Sequence, residues 1–358
     1  MPFVLAGCTG GAAAVTLLLA VTAVTFDAAA FQEPRYTGAL VSAPDVLAAF
    51  DRSIGSIDEL RSRYEATAAR LARLLALAAA PDPDLDGAAV ALLHVSDIHS
   101  NPLAFEVVEQ LAREFEVDAV IDTGDVTSFG APVEGRIGAL IRDVGVPYLY
   151  VPGNHDSEAN RRALDRVDNV RLLDGDAATI RGVDVMGFAD PTFTASNEVS
   201  TEEGNEARLE AAEALAREVR AAAPDVLAVH DERLGRSSIG SVPLVLAGHT
   251  HQRSFEDRDG TLVLTVGSTG ATGVGSFTVE ADLDLEAEIL YLNDGRLVAF
   301  DYVSIGGLGS DFEVERRTVE QTDGDAGAAI MPPRSSANLQ APARRRARAA
   351  EGSALLMR

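Results

Sequence analysis

Short apolar runs that each end in a knot of polar side chains are the feature of this sequence that leaves the fewest folds open. Ala89 to Val95 runs into Ser96-Asp97-Ile98-His99, Asp118 to Ile121 into Thr123-Gly124-Asp125, and Pro147 to Val151 into Gly153-Asn154-His155-Asp156. Two later runs, Asp225 to Val229 and Pro243 to Ala247, lead into His230 and into Gly248-His249-Thr250-His251. Such runs read as apolar strands. Between them lie segments of helical character near Pro102 to Phe115, around Val133 to Val144, after Ser157, and in an Ala- and Glu-rich stretch to Ala223. Strand and helix in alternation predict an α/β core around a mostly parallel sheet, and such folds gather ligands at the carboxyl ends of the strands. Every polar knot in this chain stands at such an end.

The remaining segments frame that core. Val170 to Leu173 and Ile180 to Phe188 are extended runs on either side of a Gly-Asp turn, and a loop from Ala189 to Ser200 precedes the Ala- and Glu-rich helix. Beyond His251 the texture changes to strands at Thr261 to Val266, Ser276 to Val279, Glu286 to Leu292 and Arg296 to Ser304, with Asp311 to Val319 as one more. Asn293-Asp294-Gly295 marks a hairpin between two of them. The main domain is therefore placed at residues 87–319. From about Glu320 periodicity gives way to Pro, Ala, Ser and Gly, so residues 320–358 read as a disordered tail, with Arg344-Arg345-Arg346-Ala347-Arg348 as its solvated basic cluster.

At the other end, Phe3 to Phe26 carries no charged side chain and exceeds the ~20 residues that cross a bilayer. Residues 1–26 are expected to be a transmembrane helix. A lipoprotein signal does not fit, because the apolar core follows Cys8 and no Lys or Arg precedes it. Residues 27–86 read as a connector with Pro34 and Pro44, then an amphipathic helix with Ile57, Leu60, Tyr64, Ala68, Leu71 and Leu75 on one face. The loop-charge rule barely discriminates orientation here. A span that begins almost at Met1 favours a signal-anchor arrangement: a single-pass protein of the cell membrane, its main domain outside the cytoplasm.

The net charge of −25 comes from 55 acidic residues against 30 basic ones, all of them Arg. That balance argues against nucleic acid as a specific partner, since binding it requires basic charge to displace counterions. The single cysteine, Cys8, excludes an intramolecular disulfide and a Cys-based zinc site. Imidazole and carboxylate are the remaining strong ligands. Of six histidines, only His94 lies inside a strand, where it reads as a packed core residue; the others stand at strand ends. One such histidine would be an ordinary loop residue, but five at successive strand ends are not a chance distribution. Asp97 with His99, and His249 with His251, are alternate residues expected to converge as an extended backbone leaves its strand. Carboxylate, imidazole and amide oxygen together suit Mn, Fe or Zn better than Ca or Mg. A carboxylate bridging two such ions would hold them about 3.5 to 4 Å apart, the spacing used for phosphoryl chemistry, with a shared hydroxide as the natural nucleophile.

The order D-x-H, G-D, G-N-H-D, H, G-H-x-H resembles the calcineurin-like metallophosphoesterase family, from about Val90 to Gly270. The resemblance implies a four-layer sandwich, two packed mixed sheets flanked by helices; with the N-terminal span it becomes a membrane-anchored bacterial type. It also implies that Asp97, His99 and His251 bind one divalent ion, that Asn154, His230 and His249 bind the other, and that Asp125 bridges them. His155 would protonate the leaving oxygen and Asp156 would orient its ring. Gly267-Ser268-Thr269-Gly270 resembles the family's turn beyond the last metal histidine, with no chemical role expected. The implied function is two-metal hydrolysis of a phosphate ester, a diester before a monoester. A non-catalytic metal-binding module on the same fold is opposed by the intact His155, and a nuclease by the lack of a basic stripe. The loops Ala189 to Ser200 and Asp231 to Val242, the latter with Arg233 and Arg236, are the expected selectors of substrate.

Overall fold

The computed structural model describes residues 90–193, 202–271, 284–306, 311–320 and 329–330. The membrane span, connector and amphipathic helix expected over residues 1–86, the strand at Ser276 to Val279 and most of the tail lie outside the described residues. Among the described residues, no helix is long and apolar enough to cross a membrane.

Four parallel strands, β1 (Val90–Val95), β2 (Ala119–Asp122), β3 (Tyr148–Tyr150) and β4 (Val170–Leu172), make one half of the first sheet. The other half is antiparallel and starts where β11 (Leu285–Asn293) pairs with β1. From there β12 (Arg296–Gly306), β13 (Asp311–Glu320) and β14 (Ala329–Ile330) follow outward. The second sheet has β5 (Ala177–Ile180), β6 (Val183–Phe188), β7 (Val226–Val229), β8 (Leu244–Ala247), β10 (Thr261–Thr265) and β9 (Ser254–Arg258), in that spatial order. Its four middle strands are parallel and its two edges antiparallel. Both sheets are thus mixed.

Period-two alternation builds the layers. In β1, Leu93 and Val95 face helix α1 (Pro102–Glu114) and its Phe105, Val108 and Leu111, whereas Val90 and Leu92 face the other sheet. There they meet Val226, Ala228, Leu244 and Leu246, while Leu227, Val229 and Val245 point outward to Leu215 and Val219 of α4 (Glu202–Ala222). The order is helix, sheet, sheet, helix. A strand buried on both faces has no polar face to alternate with, which is why these runs are unbroken in sequence. Asn101 caps α1 through an acceptor bond from Leu103 N–H, and Ser157 caps α3 (Glu158–Leu164) in the same way.

Several elements differ from expectation. Val133 to Val144 is split into a 3₁₀ turn at Glu134–Ile137 and a short helix α2 (Gly138–Asp143). The Gly-Asp turn is the passage from β4, at the edge of one sheet, to β5 of the other, and Gly175 takes φ 84° there. The Ile180 to Phe188 run is partly a hairpin, with Arg181-Gly182 between β5 and β6. Strand β9 carries little sequence signal because Glu256, Asp257 and Arg258 supply no apolar pattern, although Asp259-Gly260 is a hairpin turn. Within the stretch expected to be disordered, β13 reaches Glu320 and Val319 pairs with Ile330.

Candidate metal centre

Both sheets deliver their carboxyl edges to one place. The loop after β1 is stitched to the loop after β2 by Asp97 N–H to Gly124 O at 2.8 Å and His99 N–H to Asp125 O at 2.9 Å. Gly248 N–H donates to His230 O at 2.9 Å, and His249 N–H reaches across the sheets to Asp97 Oδ2 at 2.8 Å. The extended exit expected for Asp97 with His99 and for His249 with His251 is not what occurs. Their φ values are 54°, 49°, 69° and 54°, and Asp125 has 57°. A left-handed residue bends the chain within one step, so side chains from strands of different sheets can face a common point. Each such backbone costs about 1–3 kcal/mol and persists only where its surroundings hold it. Here the cross-loop hydrogen bonds do so. Ser268 O–H and Gly270 N–H add to them by donating to Asp97 O at 2.8 and 3.1 Å, a bracing role for the Gly267–Gly270 turn.

Two groups of possible metal ligands result, Asp97 with His99 and His251, and Asp125 with His230 and His249; within each group the ligand atoms lie within 4.8 Å of one another. In the first, His251 Nε2 is 3.2 Å from Asp97 Oδ1 and 3.1 Å from His99 Nε2. In the second, His230 Nε2 is 3.1 Å from Asp125 Oδ2 and 3.1 Å from His249 Nδ1. Asp125 Oδ2 is also 4.0 Å from His99 Nε2, which puts this carboxylate between the groups. Asn154 is buried beside them. Its neighbour His155 donates its N–H to Asp125 Oδ1 at 2.8 Å, and a Cβ on Gly153 would lie 2.2 Å from that oxygen.

The donors suit a divalent cation. Among the described residues, Asn154 Oδ1 is buried without a hydrogen-bond partner, Asp97 Oδ1 faces the ring nitrogens of His251 and His99 at 3.2 and 3.7 Å, and ring nitrogens face each other at 3.1 Å in both groups. Burial lowers His99 and His249 to about 4, leaving neutral rings with lone pairs to give. Burial opposes ionisation of Asp97, but the imidazoles of His251 and His230 bring it to about 2. Asp125 is likewise held low by His230 against its burial. Neutral imidazole and ionised carboxylate are the forms that bind metal. For His230, burial is outweighed by the charge of Asp125, which raises its pKa well above the usual range. A cation in the group would satisfy the same attraction.

Asp156 requires a correction. Its Oδ2 accepts N–H bonds from Asp125 at 2.9 Å and Gly153 at 3.0 Å, and its Oδ1 accepts from the Thr127 N–H and O–H, both at 2.9 Å. Both oxygens are spent on the loops after β2 and β3, so Asp156 does not orient His155. Among the described residues His155 Nδ1 has no hydrogen-bond partner, and Nε2 stands 3.9 Å from Asp125 Oδ2. His94 is buried inside β1, between Glu288 Oε2 at 2.8 Å and Thr123 Oγ1 at 3.1 Å. Arg236 is exposed, whereas Arg233 is tied to Asp231 and Asn205. Sequence reasoning missed Asp231, Asp190 and Arg208. Arg208 is fully buried, 2.7 Å from Asp190 and 3.4 Å from Asp231, which itself lies 3.4 Å from His249 Nε2. Their only sequence signal was a carboxylate directly after His230.

The calcineurin-like phosphoesterase superfamily domain matches residues 90–286, more than half of the chain. The chain belongs to that superfamily. Its members are generally metal-dependent hydrolases. Among curated relatives, a DNA double-strand break repair protein Mre11 from Saccharolobus solfataricus is 26% identical over 138 residues, which cover 31% of this chain and 36% of that protein. The chain thus spans about a third of that relative's length. Among solved structures, an archaeal phosphodiesterase is similar over 60% of this chain and 99% of its own, at 17% identity and a TM-score of 0.38. A dimetal phosphatase from Danio rerio is similar over 68% and 98%, at 14% identity and a TM-score of 0.41.

Proposed function

We propose that this superfamily member hydrolyses phosphate esters with two divalent ions, one held by Asp97, His99 and His251, the other by Asn154, His230 and His249, with Asp125 shared. The observation that carries this reading is the position of Asp125, whose Oδ2 is 3.1 Å from His230 Nε2 in one group and 4.0 Å from His99 Nε2 in the other. When bound, the ions supply positive charge for the phosphoryl oxygens and a nucleophile at neutral pH. The chain's own groups do the rest. His155, beside Asp125 and, among the described residues, without a carboxylate that fixes its ring, gives a proton to the leaving oxygen. Asp156 holds the loop that carries Asp125, and so sets where the shared carboxylate lies. Manganese is the proposed ion and a diester the preferred substrate. The uncharged stretch Phe3 to Phe26 is proposed to anchor the chain in a membrane with the catalytic domain outside the cytoplasm.

A nuclease is the second reading, favoured by the curated relative named for DNA double-strand break repair and opposed by the net charge of −25. The test is to strip the protein with chelator, add Mn back, and follow two nitrophenyl esters, a monoester and a diester, alongside single-stranded DNA. We expect restored activity, greater on the diester, and no DNA cleavage. Metal analysis that finds no bound ion at saturating Mn would remove the proposal.

A further inference from the structure

We propose that Asp231 is a positioning residue: its carboxylate, beside Nε2 of His249, favours the tautomer protonated at Nε2, whose opposite nitrogen, Nδ1, faces His230. This rests on the two-metal reading above. The two ring nitrogens of His249 face different surroundings. Nδ1 is 3.1 Å from His230 Nε2, inside the donor group, and Nε2 is 3.4 Å from Asp231 Oδ2. A neutral imidazole carries one proton; the nitrogen beside a carboxylate keeps it and the other is left with a lone pair. His230 divides its nitrogens in the same way. Its Nδ1 lies 2.8 Å from the carbonyl oxygen of Thr123, which only accepts, so Nε2 faces the donor group unprotonated once an ion is bound. Each histidine of this group therefore has an acceptor behind it, and for His249 that acceptor is charged.

Asp231 is held firmly enough to set a ring. Its Oδ1 accepts from Arg233 N–H at 3.0 Å and Arg233 Nε at 2.9 Å, and its Oδ2 accepts from Arg233 Nη2 and lies 3.4 Å from Arg208 Nε. Arg208, with 1% of its side chain exposed, also donates to Asp190 Oδ2 at 2.7 Å and Thr192 Oγ1 at 3.1 Å. A buried guanidinium between two carboxylates is fixed in place, because removing any partner strands a charge away from water. Asn205 and Arg208 lie about one turn apart on α4, and Asn205 Oδ1 accepts from Arg233 Nη1. In this way α4, which places no residue in either donor group, governs the ring of a ligand on the loop after β8.

The experiment titrates Mn calorimetrically into the metal-stripped full chain in detergent, comparing wild type with Asp231→Ala and Asp231→Asn. In Asp231→Ala one of two ions should bind about 10 to 100-fold more weakly while the other is unchanged. Asp231→Asn, whose amide oxygen still accepts a hydrogen bond, should recover part of the loss. Two ions bound with wild-type affinity in Asp231→Ala would overturn the inference, and so would equal weakening of both, which reports a disturbed fold. If wild type itself binds no ion, the inference fails together with the two-metal reading; if wild type binds two and only the variant result disagrees, the inference alone fails. Nitrogen NMR of the His249 ring in metal-free wild type needs no variant to fold. A proton on Nε2 is expected, and a proton on Nδ1 would overturn the inference.

Discussion

On the turn Gly153 to Asp156, adjacent side chains divide their work: His155 faces Asp125, while Asp156 turns inward to bind backbone. Their substitutions should therefore separate. His155→Gln is expected to keep both ions and to lose about 10²- to 10⁴-fold in turnover, the usual weight of a positioned proton donor. Asp156→Ala should lose about 1–3 kcal/mol of stability, because it leaves buried N–H groups without an acceptor. Elemental analysis alongside kinetics checks the first; loss of both ions from His155→Gln would take the proton-donor role away. Asp122 offers a pH-dependent case. Burial raises its carboxyl from 3.8 to about 8, although Tyr148 O–H at 2.5 Å and Gly124 N–H at 2.9 Å both favour the charged form. Because the folded pKa is the higher one, the folded state holds an extra proton between these values. The associated stability is complete below about 4 and is lost as pH rises through about 8. Asp122→Asn cannot titrate, so the melting temperature of the metal-free variant should fall less across that window than wild type does. Parallel curves would mean that Asp122 is already ionised in the fold.

Among the elements, the exits of β1 and β8 depend on an approach closer than any side chain permits. A Cβ on Gly248 would lie 1.9 Å from Ser96 Oγ and 2.6 Å from Asp97 Oδ2. Ser96 is fully buried and Asp97 accepts the His249 N–H, so neither can withdraw cheaply. Gly248→Ala is expected to force these exits apart at a cost of about 1–3 kcal/mol, as overpacking in a dense interior does. Affinity for both ions should fall together, since Asp97 belongs to one donor group and His249 to the other. Denaturant unfolding and Mn titration read the two effects. Unchanged ion binding in a stable Gly248→Ala would show that the contact between the sheets does not hold the groups in register.

For the whole chain, the proposed anchor at Phe3 to Phe26 makes orientation a matter of substrate as well as topology. A domain held outside the cytoplasm meets phosphate esters of lipid and cell envelope, whereas the opposite orientation meets nucleotides. Protease added to intact cells should digest the catalytic domain without lysis; full protection until lysis would reverse the assignment.

The sequence by itself determined the α/β character and the strand-end placement of Asp97, His99, Asp125, Asn154, His155, His230, His249 and His251. Both are local properties: a strand buried on two faces writes an unbroken apolar run, and a polar residue directly after it lies at the sheet edge. Strand β9 was illegible for the converse reason, since its largely polar residues form an exposed edge. Only the tertiary structure decided how the knots meet. It set left-handed backbone at Asp97, His99, Asp125, His249 and His251, turned Asp156 toward the loop after β2, and buried Arg208 between Asp190 and Asp231. These arrangements depend on which side chains face each other across two sheets and a helix. Such long-range juxtapositions are set by the packing of layers and leave no periodic trace in the chain.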